Sequence, residues 1–339
     1  MKLSKSLLSL LTLSLTGLGL AYAPTTYAAA VITNPAGTVA MGINDEGHLN
    51  TSVGNIAANA DATGLAFKFP DGNFYDATSP GCLCEGWGVS VNDSISGYAN
   101  VSTDGVVNLT VDSFSATTST ATSTVHLTSL PGLTVTHEYA PAPNAPNVLF
   151  RATVTVTNDT GSDVTNLKYV RVMDWDIPPT EFNEFVTIRG TGTTTFLEES
   201  HDDGFSTANP LATTSPIDPA TLNTDFVDNG PNDHGAYFRF NFGDLLAGES
   251  RVFEIFYGAA ATEAAALAAI SAESIELFSL GQSNGGQTSG SPATYIFGFK
   301  GVGGTPIIPP PSVPEPFSLA LLGIGLAALR LNHRKRPHA

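Results

Sequence analysis

Two aspartates separated by one residue, Asp174 and Asp176 in "RVMDWDIPPTEFNE", are the side chains best spaced to do chemistry. On an extended strand they share a face and Trp175 takes the other, with Glu181 and Glu184 following closely. A carboxylate pair beside an aromatic platform is what a carbohydrate-active enzyme needs, and the spacing of such a pair leaves no fixed mark in a sequence. Asp174, Asp176 and Glu181 would carry that activity. The plainer reading, which we prefer, is an acidic strand end closed by Ile177-Pro178-Pro179, with Trp175 in the core and the carboxylates in water. The run "EESHDDG" (Glu198, Glu199, His201, Asp202, Asp203) reads in the same way as a solvated loop.

Hard oxygen ligands cluster in two Gly-containing turns: Asp71, Asn73 and Asp76 in "DGNFYD", and Asp225, Asp228, Asn232 and Asp233 in "DFVDNGPND". Calcium takes such ligands, although neither turn has EF-hand spacing and Asx turns account for both without a metal. Calcium is therefore the one cofactor candidate. Catalytic signatures are missing: no Gly-x-Ser-x-Gly elbow, His-Glu-x-x-His, phosphate loop or dinucleotide fingerprint occurs. His137-Glu138 starts like a zinc-protease motif, but no second histidine follows and Pro141 would break the helix it needs. Cys82 and Cys84 in "GCLCEGWG" are the only cysteines. An oxidising compartment allows a bridge between them, a link to another chain or two free thiols remain open, and a structural zinc site lacks ligands.

The elements that must position these residues are strands. In "LFRATVTVTNDTGSDVTNLKYVRVMDWDI", Phe150, Ala152, Val154 and Val156 alternate with Arg151, Thr153, Thr155 and Thr157, the period of a half-buried strand. "NDTGSD" supplies a turn, and a second strand runs through Tyr169, Val170 and Val172, giving a hairpin or a Greek-key step. "GLTVTHEYA", "AYFRFNFG", "RVFEIFYGA" and "TYIFGFKGV" are further strands, rich in residues of high β propensity. "SFSATTSTATSTVHLTS" reads as an edge strand or a glycosylated surface segment. One segment departs from this pattern: "TEAAALAAISAESIELFSLG" places Leu267, Ile270 and Leu277 at helical spacing with Gly281 as a C-terminal cap, a helix over about 262–280. The expected fold is mainly β, a large antiparallel β-sandwich, one large or two packed, carrying one helix, with no repeat at a fixed period.

The chain of 339 residues has a formal net charge of −17. Between Val31 and Val313 there are 8 Lys and Arg against 30 Asp and Glu, a charge of −22. Such acidity argues against nucleic acid or an anionic membrane surface as a partner.

Both ends read as addresses. "MKLSKSLLSLLTLSLTGLGLAYAPTTYAAAV" has Lys2 and Lys5, a Leu-rich stretch and then small residues, the layout of a secretory signal helix over 1–30. At the other end, "GVGGTPIIPPPSVPEP" is a Gly/Pro spacer, with the linker at 305–313. It is followed by an apolar run from Phe317 to Leu329 and by Arg330, Arg334, Lys335 and Arg336. About 13 apolar residues span roughly 20 Å as a helix, short of a bilayer core of roughly 30 Å, so the run is a weak anchor whose basic end stays cytoplasmic. Val313-Pro314-Glu315-Pro316, the short hydrophobic helix and the Arg-rich end resemble the PEP-CTERM sorting signal, over 314–339. The resemblance implies recognition of Pro314, Glu315 and Pro316 by an exosortase-type membrane enzyme after passage through the secretion translocon and signal peptidase. It also implies transient anchoring in the inner membrane, and a destination at the cell surface or in the exopolysaccharide matrix. "TVTVTND..GSDVTNLKYV" is similar to immunoglobulin-like modules of bacterial surface proteins, and the order of segments from "FGDLLAGESRVFEIFYGAA" to "TYIFGFKGVGG" resembles PEP-CTERM surface proteins. A structural or binding role is the leading expectation for the 31–304 body. A carbohydrate-active enzyme and a calcium-dependent polysaccharide-binding module are the alternatives.

Overall fold

The computed structural model of the protein describes residues 29–285 and 293–307. Residues 1–28 of the expected signal helix, the PEP motif, the apolar run and the basic tail lie outside the described residues, while Ala29 and Ala30 pair with Asn44 and Ile43 as the start of a strand. Among the described residues no helix is long and apolar enough to cross a membrane.

The chain is mainly β. Its strands are β1 (Ala29–Thr33), β2 (Val39–Asn44), β3 (Leu65–Lys68), β4 (Phe74–Asp76), β5 (Gly86–Val91), β6 (Ile95–Asn100), β7 (Gly105–Val107), β8 (Leu109–Ala116), β9 (Ala121–Leu127) and β10 (Leu130–Pro141). They continue with β11 (Leu149–Asn158), β12 (Lys168–Trp175), β13 (Glu184–Arg189), β14 (Leu197–His201), β15 (Phe226–Asn232), β16 (His234–Asn241), β17 (Ser250–Ala260), β18 (Leu277–Ser283) and β19 (Thr294–Lys300), with helix α1 (Glu263–Glu273) between β17 and β18. Three antiparallel sheets result: a four-stranded meander β1-β2-β3-β4, a nine-stranded sheet β15-β13-β18-β19-β17-β11-β10-β9-β8, and a six-stranded sheet β14-β16-β12-β5-β6-β7.

The alternation in β11 has its expected consequence: Phe150, Ala152, Val154 and Val156 are buried and the residues between Phe150 and Asn158 that alternate with them are half-exposed. These side chains meet Trp87 and Val89 of β5 and Tyr169, Met173 and Trp175 of β12 in one apolar cluster shared by all three sheets. The turn after β11 does not make a hairpin with β12. β11 pairs with β10 and β17, whereas β12 pairs with β5 and β16 in a different sheet. The physical reason is visible in β12 itself, where every residue from Tyr169 to Trp175 is buried. A central strand covered on both faces cannot also be the polar-faced arm of a hairpin. Its odd-numbered side chains join the shared core, while Val170 and Val172 face a smaller cluster with Ala208 and Tyr237.

Helix α1 is shorter than the periodicity implies. Thr262 caps its start, the hydroxyl accepting from the Ala265 amide at 3.2 Å, and Ser274 ends it in the left-handed region at φ 58°. Ile270 and Ala266 pack on Phe256, Phe278 and Ile296, on the face of the nine-stranded sheet opposite to Tyr257 and Phe297. Leu277 is the first residue of β18 and not a helical side chain, because β18 is claimed by ladders to both β13 and β19. Gly281 caps nothing: it lies under Trp175 and Ile177, where an added Cβ would come within 2.8 Å of the indole. Beyond β19, the Glu276 carboxylate accepts from the amides of Gly301, Val302 and Gly304 at 2.9–3.1 Å, and the Ile307 amide donates to the Ile275 carbonyl.

The Ser/Thr-rich stretch forms β8, an edge of the nine-stranded sheet, and its neighbour β9. Hydroxyls bond across the ladders here, Thr110 of β8 to Thr128 just after β9 at 2.7 Å and Thr124 of β9 to Thr136 of β10 at 3.1 Å.

Candidate functional site

Strand β12 carries two buried charge groups, one on each face. On the core side, the Arg171 guanidinium bonds the Glu85 carboxylate, both fully buried. Partners surround the pair: Arg171 also donates to the Gly47 carbonyl and the Tyr169 hydroxyl, and Glu85 accepts from the Leu49 amide at 2.6 Å and the Tyr257 hydroxyl at 3.4 Å. Burial and the adjacent Arg171 charge together hold His48 down to about 3, so this histidine is neutral. Desolvation by the same core pushes the Tyr139 phenol up to about 12.

The other face is acidic. The β12–β16 register pairs Asp174 with Gly235 and Trp175 with His234. Asp176 follows the end of β12 and Asp233 precedes the start of β16, so the last pair of the ladder, Trp175 and His234, brings the two aspartates to the same end of the strands, and the Asp176 amide donates to the Ala77 carbonyl at 2.8 Å. One carboxylate oxygen from each of Asp174, Asp176 and Asp233 lies within 4.8 Å of the others. Asp174 and Asp176 are 1 % and 0 % exposed, and Asp233 is half-buried. Both oxygens of Asp176 and one each of Asp174 and Asp233 are buried without a hydrogen-bond partner. Among the described residues, no Lys or Arg forms an ion pair with any of the three.

Packing fixes this arrangement. Gly204 and Gly235 press on the Asp174 backbone, and a Cβ on either would come within 2.6–2.8 Å of the Asp174 Cα. Glu184 adjoins the group, with its own oxygens taken by the His234 and Asn183 amides at 3.1 and 3.0 Å. Desolvation, then the negative charges of Asp174 and Glu184, push Asp176 up to about 10. Desolvation and the Asp233 charge move Asp174 well above the usual carboxylate range, and desolvation takes Glu184 up to about 9.

Beside this centre the Cys82 and Cys84 sulfurs are bonded to each other, with the Cα atoms 5.3 Å apart. Cys82 Sγ lies 3.4 Å from Asp174 Oδ2. A disulfide sulfur has no proton to donate, so this is a contact and not a hydrogen bond. The neighbouring residues Pro80, Gly81 and Leu83 line an open groove of about 790 Å³, together with Asn59, Asp61, Glu181 and Phe182. Phe182 is 49 % exposed, its backbone is in the left-handed region at φ 68°, and its ring sits over Gly81. Glu181 accepts from Asn59 Nδ2 at 2.9 Å.

The residues singled out in the sequence are thus distributed over different places. Asp174 and Asp176 share a face, and Trp175 turns to the core with its indole N–H on the Ser279 hydroxyl at 3.0 Å. Their carboxylates are buried and not in water, and Glu181 belongs to the groove. Of the seven calcium candidates only Asp233 joins them. Asp71 accepts from Asn73 and from the Tyr75 hydroxyl in an exposed turn, Asp76 is buried and accepts from the Gly64 and Thr78 amides, and Asp225 holds the Gly190 and Thr191 amides. Asp228 donates its amide to the Thr187 hydroxyl. "EESHDDG" is not a solvated loop: Ser200, His201 and Asp202 are buried, and Asp202 accepts from the Ile217 and Asp218 amides and the Thr221 hydroxyl. His137 is a core residue bonded to the Tyr169 hydroxyl at 2.9 Å. The Glu85–Arg171 pair escaped the sequence, although an arginine inside "YVRVM" was a signal: a charge on an apolar strand needs a buried partner.

Compared with known proteins, the chain matches no family model and no curated protein.

Proposed function

We propose that the protein is an exported scaffold of a bacterial cell surface or exopolysaccharide matrix. In this reading a signal peptide directs it through the translocon. Pro314, Glu315 and Pro316 present it to an exosortase-type enzyme, the short apolar helix holds it briefly in the inner membrane, and Arg330, Arg334, Lys335 and Arg336 retain the tail in the cytoplasm. The body is a β-sandwich with a structural or binding role. The observation that carries the reading is the order of three parts at the chain's end, motif, apolar run and basic tail. A charge of −17 and a paired Cys82–Cys84 are in keeping with a soluble body in an oxidising compartment.

Burial favours binding over glycoside hydrolysis. Asp174 and Asp176 have no surface to offer a polymer, whereas the groove presents an exposed ring, a carboxylate and an amide at Phe182, Glu181 and Asn59. Flat aromatic faces with neighbouring polar groups suit sugar rings.

The test expresses the full chain in a bacterium that carries the sorting system, with and without Pro314, Glu315 and Pro316 replaced by alanines. Mass spectrometry then locates the mature C-terminus. Loss of the tail near the motif in the unaltered chain alone is the expected result, and an intact tail in both would reject the sorting reading. Retention on immobilised exopolysaccharide that drops in Phe182→Ala would establish the groove as the binding surface.

A further inference from the structure

We propose that Asp174, Asp176 and Asp233 hold a divalent cation, calcium by their chemistry, at the joined ends of β12 and β16. The proposal is independent of the sorting reading and rests on geometry. Three carboxylates converge to within 4.8 Å, no farther apart than two oxygens on opposite sides of an ion with bonds of about 2.4 Å. Asp176 is fully buried and, among the described residues, neither of its oxygens has a hydrogen-bond partner, and Oδ1 of Asp174 is likewise unbonded.

A buried acceptor left bare is costly, and a buried carboxylate needs a cation or a full set of donors. Elsewhere the fold supplies them: Asp202, close in the chain to the Gly204 that presses on Asp174, accepts from two amides and a hydroxyl. Like charges brought this close are destabilising, and an ion between them reverses the sign of the interaction. The donor set selects the metal class. The group contains no imidazole nitrogen, and the nearby Cys82 sulfur is tied in a disulfide, so the site offers hard oxygens only. The half-buried Asp233 is the side from which an ion enters, and Glu184, already bonded to two amides, adds negative potential behind it.

The experiment uses the full chain purified with EDTA and then given CaCl2 in the millimolar range where extracellular calcium modules bind. Melting temperature and isothermal titration are the readouts. The expected result is one bound Ca²⁺ per chain and a melting temperature several degrees higher. That response should be lost in Asp176→Asn and weakened at least about tenfold in Asp233→Asn, whose half-buried position protects the fold. Asp71→Asn, in an exposed turn, should respond as the parent does, which separates the site from general binding to an acidic surface. No response of the parent to Ca²⁺ would overturn the proposal, and so would a response that survives in both Asp176→Asn and Asp233→Asn.

Discussion

Arg171 and Asp174 sit three residues apart on one strand, both buried, and they show opposite solutions to the same electrostatic problem. On the core face the guanidinium and Glu85 neutralise each other, and an amide, hydroxyls and a carbonyl take up further bonding capacity. On the acidic face three carboxylates are crowded together, and among the described residues four of their oxygens have no hydrogen-bond partner and no Lys or Arg forms an ion pair with them. Equal burial therefore does not mean equal function. A satisfied buried charge is part of the scaffold, whereas an unsatisfied one points to something that must come from outside the chain.

Breaking the satisfied group should have the largest effect. Arg171→Met strands Glu85 without its countercharge and is expected to lower stability by about 3–5 kcal/mol, while Glu85→Gln combined with Arg171→Met recovers most of the loss. Urea unfolding of the three proteins checks this, and a loss under about 1 kcal/mol in Arg171→Met would mean that the pair contributes little beyond packing.

The pH response should divide the two regions. His48 is held at about 3 when folded, below its ordinary value of 6.5. Acidification through that window protonates the unfolded chain first, and stability falls. Asp176 and Glu184 run the other way: folded values of about 10 and about 9 lie above 3.8 and 4.5. The cation-free native state therefore binds more protons, and stability falls as pH rises towards those values. Melting curves in EDTA should show an alkaline decline that Asp176→Asn reduces, and an acid decline that His48→Gln reduces. The same slopes in parent and variants would remove the electrostatic basis of the contrast.

The smallest effect is expected in the groove. Phe182→Gly relieves a left-handed backbone and should leave stability within about 1 kcal/mol of the parent, yet reduce retention on polysaccharide. A large destabilisation would instead make Phe182 part of the core.

Period-two segments were legible from the residues alone. The inward set of β11 follows from its alternation, and the strands at 234–241, 250–260 and 294–300 from their aromatic and β-branched content. The end of α1 was not, because Leu277 continues the helical spacing while a serine, and no glycine, takes the left-handed cap. The acidic centre was half legible. That Asp174 and Asp176 share a face is local geometry, but the arrival of Asp233 depends on the β12–β16 register, a long-range pairing without a local sign. The short run at 200–202 misled for a related reason: its charges look solvated until the amides of a later turn are brought over them.

The position of β19 has a mechanical consequence. It lies inside the nine-stranded sheet, antiparallel to β18 on one side and β17 on the other, and the Glu276 carboxylate clamps the chain just beyond it. A load applied through Ile307 therefore meets the bond from its amide to the Ile275 carbonyl and then that clamp, and is next taken up as shear along two ladders at once. Bonds loaded in parallel must yield together, whereas an edge strand peels one pair at a time, so the fold is built to resist being pulled from this end.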